Sequence, residues 1–336
     1  MKKFLIPENG NFYKTNLHTH TTVSDGSLSP EEIKKEYMKK GYSVIAFTAH
    51  DVFIPHNDLT DENFLALNGY EMELLQPFKS GSPQQTSKTC HMCFVALDKN
   101  TTRQACWHRE KYLFANAVNY RDKVDFDKSL PDYEREYSGK CISDMMRLGR
   151  ENGFFVTYNH PTWSGETYED YMNYDNMHAM EIYNYECFLA GVEDYNARVY
   201  DDMLRGGKKI FCVATDDTHS PISVGGGYIM IKADKLEYNT IASALLNGNF
   251  YSSTGPEIKE LYIEDGVLHV KTSPAKIIAL STEHRRFDSV RGDNCETVSE
   301  GAFKVFDYDG YVRITVIDEY GNHANTNAYF VEDLLK

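Results

Sequence analysis

The sequence predicts an α/β barrel with a metal site, followed by a small all-β module. Three observations lead there. A helix–glycine–strand unit repeats through residues 12–255, ligand-type side chains fall where those strands end, and the pattern changes to short alternating runs beyond Gly255.

The first unit is the clearest. Ser29, Pro30 and Glu32 read as N-cap, first-turn proline and the acidic partner three residues after the cap, so a helix starts there and Gly41 ends it. Ser43–Thr48 is then a β-branched, buried-strand run that stops just before His50. The unit recurs with Ser143–Arg150 as helix, Gly153 as stop and Phe154–Tyr158 as the strand before His160. It recurs again with Val199–Leu204, Gly206 and Gly207, and Lys209–Ala214 before Asp217. Ligands at the carboxyl ends of strands are what an α/β barrel with its site on that face requires.

From about Gly255 the grammar is different. Runs at Ile258–Ile263, Val267–Val270, Lys276–Leu280, Phe303–Phe306 and Tyr311–Val316 alternate in polarity, and Asp265-Gly266, Asp309-Gly310 and Gly321-Asn322 punctuate them as turns. The expected division is therefore a catalytic domain over 1–255 and a sandwich-like β domain over 256–336. Two irregular insertions, 76–90 and 99–140, are long enough to be substrate-covering loops.

Composition narrows the class. At 336 residues, with 41% hydrophobic content and 13% aromatics, the chain can bury more than one packed core. A net charge of −15 argues against long nucleic acid as the partner, because phosphate backbones need a basic surface. Only three apolar residues separate the opening lysines from Pro7, too few for the apolar core of a signal peptide, and no apolar run approaches a membrane span. The seven scattered cysteines include one CxxC pair, Cys90 and Cys93, and no second pair to complete a structural zinc site, so reduced thiols and a cytoplasmic setting are expected.

Nine side chains carry the chemistry: His18, His20, Asp25, His50, Glu71, His91, His160, Asp217 and His219. Imidazoles interleaved with carboxylates suit zinc, iron or manganese and are the wrong donors for calcium. His18 and His20 stand two apart at a strand end, so both point to one face and can hold a single ion. Three carboxylates offset about half the charge of three divalent ions, and the surplus favours an anionic ester over a neutral amide.

Asn16–Gly26, NLHTHTTVSDG, resembles the opening motif of the PHP (polymerase and histidinol phosphatase) metallohydrolases. Gly69–Glu71, Asn159–Pro161 and Asp216–His219 match that family's later motifs in order, and Asn249–Pro256 with the β module is similar to a bacterial subgroup. The resemblance implies a distorted seven-stranded (β/α) barrel holding two or three divalent transition metals, usually zinc, manganese or iron. It implies a first metal on His18, His20 and Asp217, with Glu71 bridging to others. Asp25, His50 and His219 would hold the second metal, and Glu71, His91 and His160 the third. Ala49 stands where the family commonly has an aspartate that does not itself bind metal.

The function expected is hydrolysis of a small anionic phosphoester, mono- or diester, by a metal-bridging hydroxide at a di- or trinuclear site. Asp217 or His219 would assist proton transfer, and no membrane partner is expected. The runner-up is an amidohydrolase-type C–N or C–O hydrolase or a stand-alone exonuclease on short oligonucleotides, and a silent binding protein comes third. His56, His108, His178, His269, His284 and His323 read as surface or structural, and His284-Arg285-Arg286 as a solvated loop. Asp216 divides evenly between supporting the site and a solvated turn, Gly225–Gly227 reads as a turn before a strand, and Cys90 and Cys93 as buried neighbours of His91.

Overall fold

The structure is a computed structural model that describes residues 2–78, 80–83, 86–293 and 296–335. Residues 79, 84 and 85 of the 76–90 insertion, together with Cys295, lie outside the described residues.

β1 (Lys3–Phe4) and β2 (Asn11–Asn16) open the chain. Ser29 caps α1 (Pro30–Lys39): its hydroxyl accepts from the Glu32 N–H at 3.2 Å and the Glu32 carboxylate accepts from the Ser29 N–H at 2.8 Å. Gly41, at φ +78°, turns the chain into the fully buried β3 (Val44–Phe47). β4 (Leu65–Leu75) and β5 (Thr89–Ala96) follow, then α2 (Gly139–Glu151), β6 (Phe154–Asn159), α3 (Tyr168–Tyr171) and β7 (Ala179–Asn184). α4 (Tyr185–Leu189), α5 (Ala197–Arg205), β8 (Phe211–Thr215), β9 (Tyr228–Ala233), α6 (Tyr238–Leu246) and β10 (Phe250–Ser253) complete this part. The left-handed glycines expected after helices are present at Gly153 and Gly207, with φ of +82° and +86°.

β2 to β8 form one hydrogen-bonded run in chain order. β2–β3–β4 are parallel, β4–β5–β6 antiparallel and β6–β7–β8 parallel again. Two expectations change here. β4 and β5 pair antiparallel where a (β/α) barrel runs its strands parallel, so β5 runs backwards and presents its first residues on the face where its neighbours present their last. The ring is also not closed by strand ladders. β9 pairs along β2 over five residues and occupies the edge that β8 would need. Among the described residues the strand pairing between the ends of β2 and β8 is the isolated Thr19–Thr218 bridge just beyond them, where the His20 N–H donates to the Thr218 carbonyl at 2.9 Å, and the Asp216 N–H donates to Asn16 Oδ1 at 3.1 Å. The run is curled enough that Val44, Leu67, Val95, Phe155, Ala179, Val213 and Ile229 share one apolar cluster with α6 beneath it.

The same sheet continues through β9 and β10 into the strand-rich C-terminal region. β11 (Ile258–Glu264), β12 (Val267–Ala275), β13 (Ile277–Thr282), β14 (Phe287–Arg291) and β15 (Val298–Lys304) are antiparallel, with Asp265 and Gly266 both at positive φ in the β11–β12 turn. β16 (Tyr311–Ile317), β17 (His323–Thr326), β18 (Tyr329–Phe330) and α7 (Val331–Leu334) end the chain. β1, β11, β12 and β15 form a second sheet, and Leu261, Leu268, Ile278, Leu280, Ile314 and Val316 pack in one core between the two. Among the described residues no helix is long and apolar enough to cross a membrane.

Candidate metal centre

The nine expected donors converge on one buried cluster, and Glu71 is its hub. The Glu71 carboxylate lies 3.1 Å from His18 Nε2, 3.2 Å from His20 Nε2, 3.3 Å from His50 Nδ1, 3.2 Å from His91 Nδ1 and 3.5 Å from His160 Nε2. Strand direction explains the meeting. His18, His50, His160 and Asp217 follow the carboxyl ends of β2, β3, β6 and β8, whereas His91 is near the start of the reversed β5. The β4–β5 register sets Glu71 opposite Cys93 and Glu73 opposite His91, and His91 in turn lies opposite Asn159 on β6.

The donors nearest the centre have the spacing of a coordination shell. His18 Nε2 and His20 Nε2 are 3.0 Å apart, and Asp217 Oδ1 is 3.1 Å from each. Glu71 adds Oε1 at 3.1 Å from His18 Nε2 and Oε2 at 3.2 Å from His20 Nε2, so donors of four residues gather around one point. A tetrahedron of ligands about 2.0 Å from a first-row metal has edges of about 3.3 Å. Two imidazole nitrogens facing each other at 3.0 Å gain nothing from each other unless a proton or a cation lies between them. Among the described residues His20 Nδ1, His50 Nδ1, Glu71 Oε2, His91 Nε2 and Asp217 Oδ1 are buried without a hydrogen-bond partner. Buried polar atoms rarely stay unsatisfied, so the residues fit bound metal.

Other groupings surround this one. Asp25 lies 3.4 Å from His20 Nδ1, 3.6 Å from His50 Nε2 and 3.4 Å from His219 Nε2. His50, Glu71 and His91 form another set, and His160 approaches both His18 and Glu71. Electrostatics follow from this crowding. Burial works to raise the Glu71 carboxyl, but His18, His91 and His50 outweigh it and hold the group well below the usual range. Burial, reinforced by His20, pushes His50 down to about 3. With Ala49 in place of an aspartate, no carboxylate on that residue can orient His50. Its ring is instead stacked on His20 at 4.3 Å and set against Phe114 at 4.8 Å.

Sequence reasoning missed β7. Glu181 Oε1 takes the His18 Nδ1–H at 2.7 Å and the Thr215 hydroxyl at 2.7 Å, and Oε2 takes the His160 backbone N–H at 2.9 Å and Asn184 Nδ2 at 3.0 Å. All four lone-pair positions are used, so although Glu181 groups with His18 and His160 it is placed to position these candidate ligands rather than to serve as one. Asn184 also donates to Asp217 Oδ2 at 3.1 Å. The two ligands held in this way, His160 and Asp217, sit at φ +26° and +51°, strained for residues with side chains. The available signal was a glutamate inside the otherwise apolar start of a strand, Ala179–Ile182.

Asp216 is not a solvated turn. It is fully buried and accepts from the Gly225, Gly226 and Gly227 N–H groups, each at 2.7 Å. Side chains cannot be added to this turn: a Cβ on Gly226 would meet the Tyr185 ring at 2.2 Å and one on Gly227 the Thr215 carbonyl at 2.4 Å. Cys93 accepts from Asn159 Nδ2 at 3.1 Å, and burial pushes its thiol up to about 11, against a thiolate role. His108 pairs with Glu134, His178 with the Val156 N–H, and His323 stacks on Tyr195, all outside the cluster. Arg286 is tied to Asp309, its Nε donating to Asp309 Oδ1 at 2.7 Å.

One expectation about charge is revised. Glu181 and Glu73, whose Oε1 is 3.5 Å from His91 Nε2, add to Asp25, Glu71 and Asp217. Five carboxylates line the cluster in place of three, so the positive surplus that bound ions would bring is smaller than the motif alone suggests.

No family model matches the chain, and no curated protein does. Among solved structures it is similar to a two-domain protein from Bacteroides vulgatus containing a predicted PHP-like metal-dependent phosphoesterase, at 16% identity over 98% of both chains with a TM-score of 0.46. A candidate metal-dependent phosphoesterase from Bifidobacterium adolescentis matches at 13% identity over 63% of this chain and 89% of that one, TM-score 0.38. An amidohydrolase from Chromobacterium violaceum, with bound sulfate and no metal, matches at 12% identity over 62% and 88%, TM-score 0.36.

Proposed function

We propose that the chain is a PHP-type metal-dependent phosphoesterase acting on a small anionic ester, with its curled sheet as that family's distorted barrel. The observation that carries this reading is the Glu71 carboxylate within 3.5 Å of five imidazoles, with His18 Nε2, His20 Nε2 and Asp217 Oδ1 beside it at 3.0–3.1 Å from one another. His18, His20, Glu71 and Asp217 would hold one ion, Asp25, His50 and His219 a second, and His91 and His160 with Glu71 a third. The donor set suits zinc, manganese or iron. When bound, the ions supply Lewis acidity and bring the pKa of a coordinated water toward neutrality.

The protein's own part is positioning and proton handling. His219 and Asp25 are the most open of the nine, with side chains 28% and 25% exposed, so substrate enters beside them. His219 Nδ1–H donates to the Asp217 carbonyl at 2.8 Å, which fixes the tautomer and leaves Nε2 facing Asp25 at 3.4 Å. Asn184 holds one Asp217 oxygen and leaves the other directed at His18 and His20. The reading uses no side-chain nucleophile: the buried serine beside an imidazole, Ser164 at 3.2 Å from His160 Nδ1, is held on a ring whose Nε2 faces Glu71 at 3.5 Å.

The test is turnover by metal-reconstituted protein across a library of phosphomonoesters and phosphodiesters in water labelled with heavy oxygen. One label should enter the phosphate product in a single turnover, with no phosphoenzyme. A trapped phosphorylated residue, or no phosphoester hydrolysis by fully loaded protein, overturns the reading. A second reading, hydrolysis of a C–N or C–O bond, is favoured by the five carboxylates around the ions, which favour an uncharged substrate more than three would. Amide and lactone panels run beside the esters decide between them.

A further inference from the structure

We infer that the ester's organic group is planar and apolar, and that Phe114 and Trp163 receive it. This rests on the phosphoesterase reading and names the substrate class within it. Both rings are solvent-exposed, 38% for Phe114 and 46% for Trp163, yet both pack directly on candidate ligand imidazoles. Phe114 is 4.8 Å from the His50 ring, and Trp163 meets the rings of His91 and His160 edge-on at 5.6 and 5.0 Å. His50 and His91 are themselves 5.6 Å apart. An aromatic wall therefore stands on each side of this imidazole pair, continuous with the centre where phosphorus would bind.

Isolated exposed aromatics are ordinary on protein surfaces. These two are held in place. Phe114 belongs to the 99–140 insertion, whose next turn is tied down by Asn116: its N–H donates to the Ser24 carbonyl at 3.0 Å and its Nδ2 to the Thr22 carbonyl at 3.2 Å. The insertion also shares an apolar cluster with Val23 and Val52 through Trp107 and Val124. Trp163 lies in the turn after β6, closed by the Ser164 N–H to the His160 carbonyl at 3.1 Å. Rigid rings with exposed faces beside a charged centre suit stacking on a flat apolar group at small entropic cost.

The experiment compares 2-phenylethyl phosphate with ethyl phosphate, whose alkoxide leaving groups are of similar basicity, so a difference reads binding rather than leaving-group reactivity. Metal-loaded protein should show a kcat/KM about tenfold higher for the phenyl ester, mostly through KM. Trp163→Ala and Phe114→Ala should each shrink that ratio to within about twofold, while Trp163→Phe keeps most of it. A merely structural role for Trp163, holding His91 and His160, would lower both esters together and leave the ratio intact, which overturns the inference. Binding of 2-phenylethyl phosphonate, but not ethyl phosphonate, should change the intrinsic fluorescence, which in a chain with two tryptophans reports on the exposed Trp163 against the buried Trp107. Equal kcat/KM for the two esters in the unmodified protein overturns this inference and leaves the phosphoesterase reading standing. Hydrolysis of neither ester nor of any other phosphoester by fully loaded protein overturns both.

Discussion

Glu181 accepts four hydrogen bonds among ligands that it does not join, and its removal separates positioning from coordination. Glu181→Gln replaces an acceptor oxygen by an amide that points hydrogens at donors already present: His18 Nδ1–H and the Thr215 hydroxyl, or the His160 N–H and Asn184. The expected result is a loss of metal affinity of about 10–100-fold with the protein still folded, read by metal titration and circular dichroism. Unchanged affinity in the folded variant would mean that His18 and His160 orient themselves. At this scale the sequence was legible wherever a residue's type announces its chemistry. The six imidazoles and three carboxylates that it marked do meet. Glu181, Asn184 and the buried role of Asp216 were illegible because a carboxylate or carboxamide looks the same as a ligand, an orienting group or a turn residue until its neighbours are known.

Elements were legible where caps and period agree, and strand direction was not. Ser29, Pro30 and Glu32 announce α1 through local hydrogen bonds alone, whereas nothing local to Thr89–Ala96 says that β5 pairs backwards with β4. The β6–β7 pair offers a pH test away from the cluster. His178 Nδ1 accepts from the Val156 N–H at 3.0 Å and its ring stacks on Phe155 at 4.9 Å, an arrangement that uses neutral imidazole. Burial, aided by Arg150, pushes its pKa from 6.5 down to about 4. With the folded pKa depressed, the unfolded chain takes the proton first, so the contribution is whole above pH 6.5 and is lost as pH falls toward 4. For a ring that is only partly buried this amounts to about 1–2 kcal/mol. Urea unfolding at pH 7, 5.5 and 4.5 should show a flatter pH dependence for His178→Gln than for the parent chain. Parallel curves would show that His178 titrates alike in both states.

Across the whole molecule, the cluster joins what the ladders leave open. Its donors span His18 to His219 and so connect the two ends of the β2–β8 run, which among the described residues strand pairing links at the Thr19–Thr218 bridge. The closed ring expected from the sequence is a property of pairing between residues two hundred apart, where β9 competes for the same edge of β2; local pattern carries no information on which strand wins. Bound ions should therefore stabilise the fold as a whole, because an unfolded chain scatters these donors. An ion present at about 100 times its Kd adds about 2.7 kcal/mol to the stability of the folded state. For a chain of this size that moves the melting temperature by about 4 °C. Calorimetry on loaded and chelator-treated protein at equal concentration should show this shift, and restoring zinc or manganese should reverse it. Glu71→Ala should abolish most of the shift, since five imidazoles lose the carboxylate they share. His91→Ala should leave the larger part, because His18, His20 and Asp217 remain in place around Glu71. Equal losses in the two variants would remove Glu71 from the centre of the site, and identical melting of loaded and chelated parent protein would mean that the cluster holds no ion tightly enough to matter for folding.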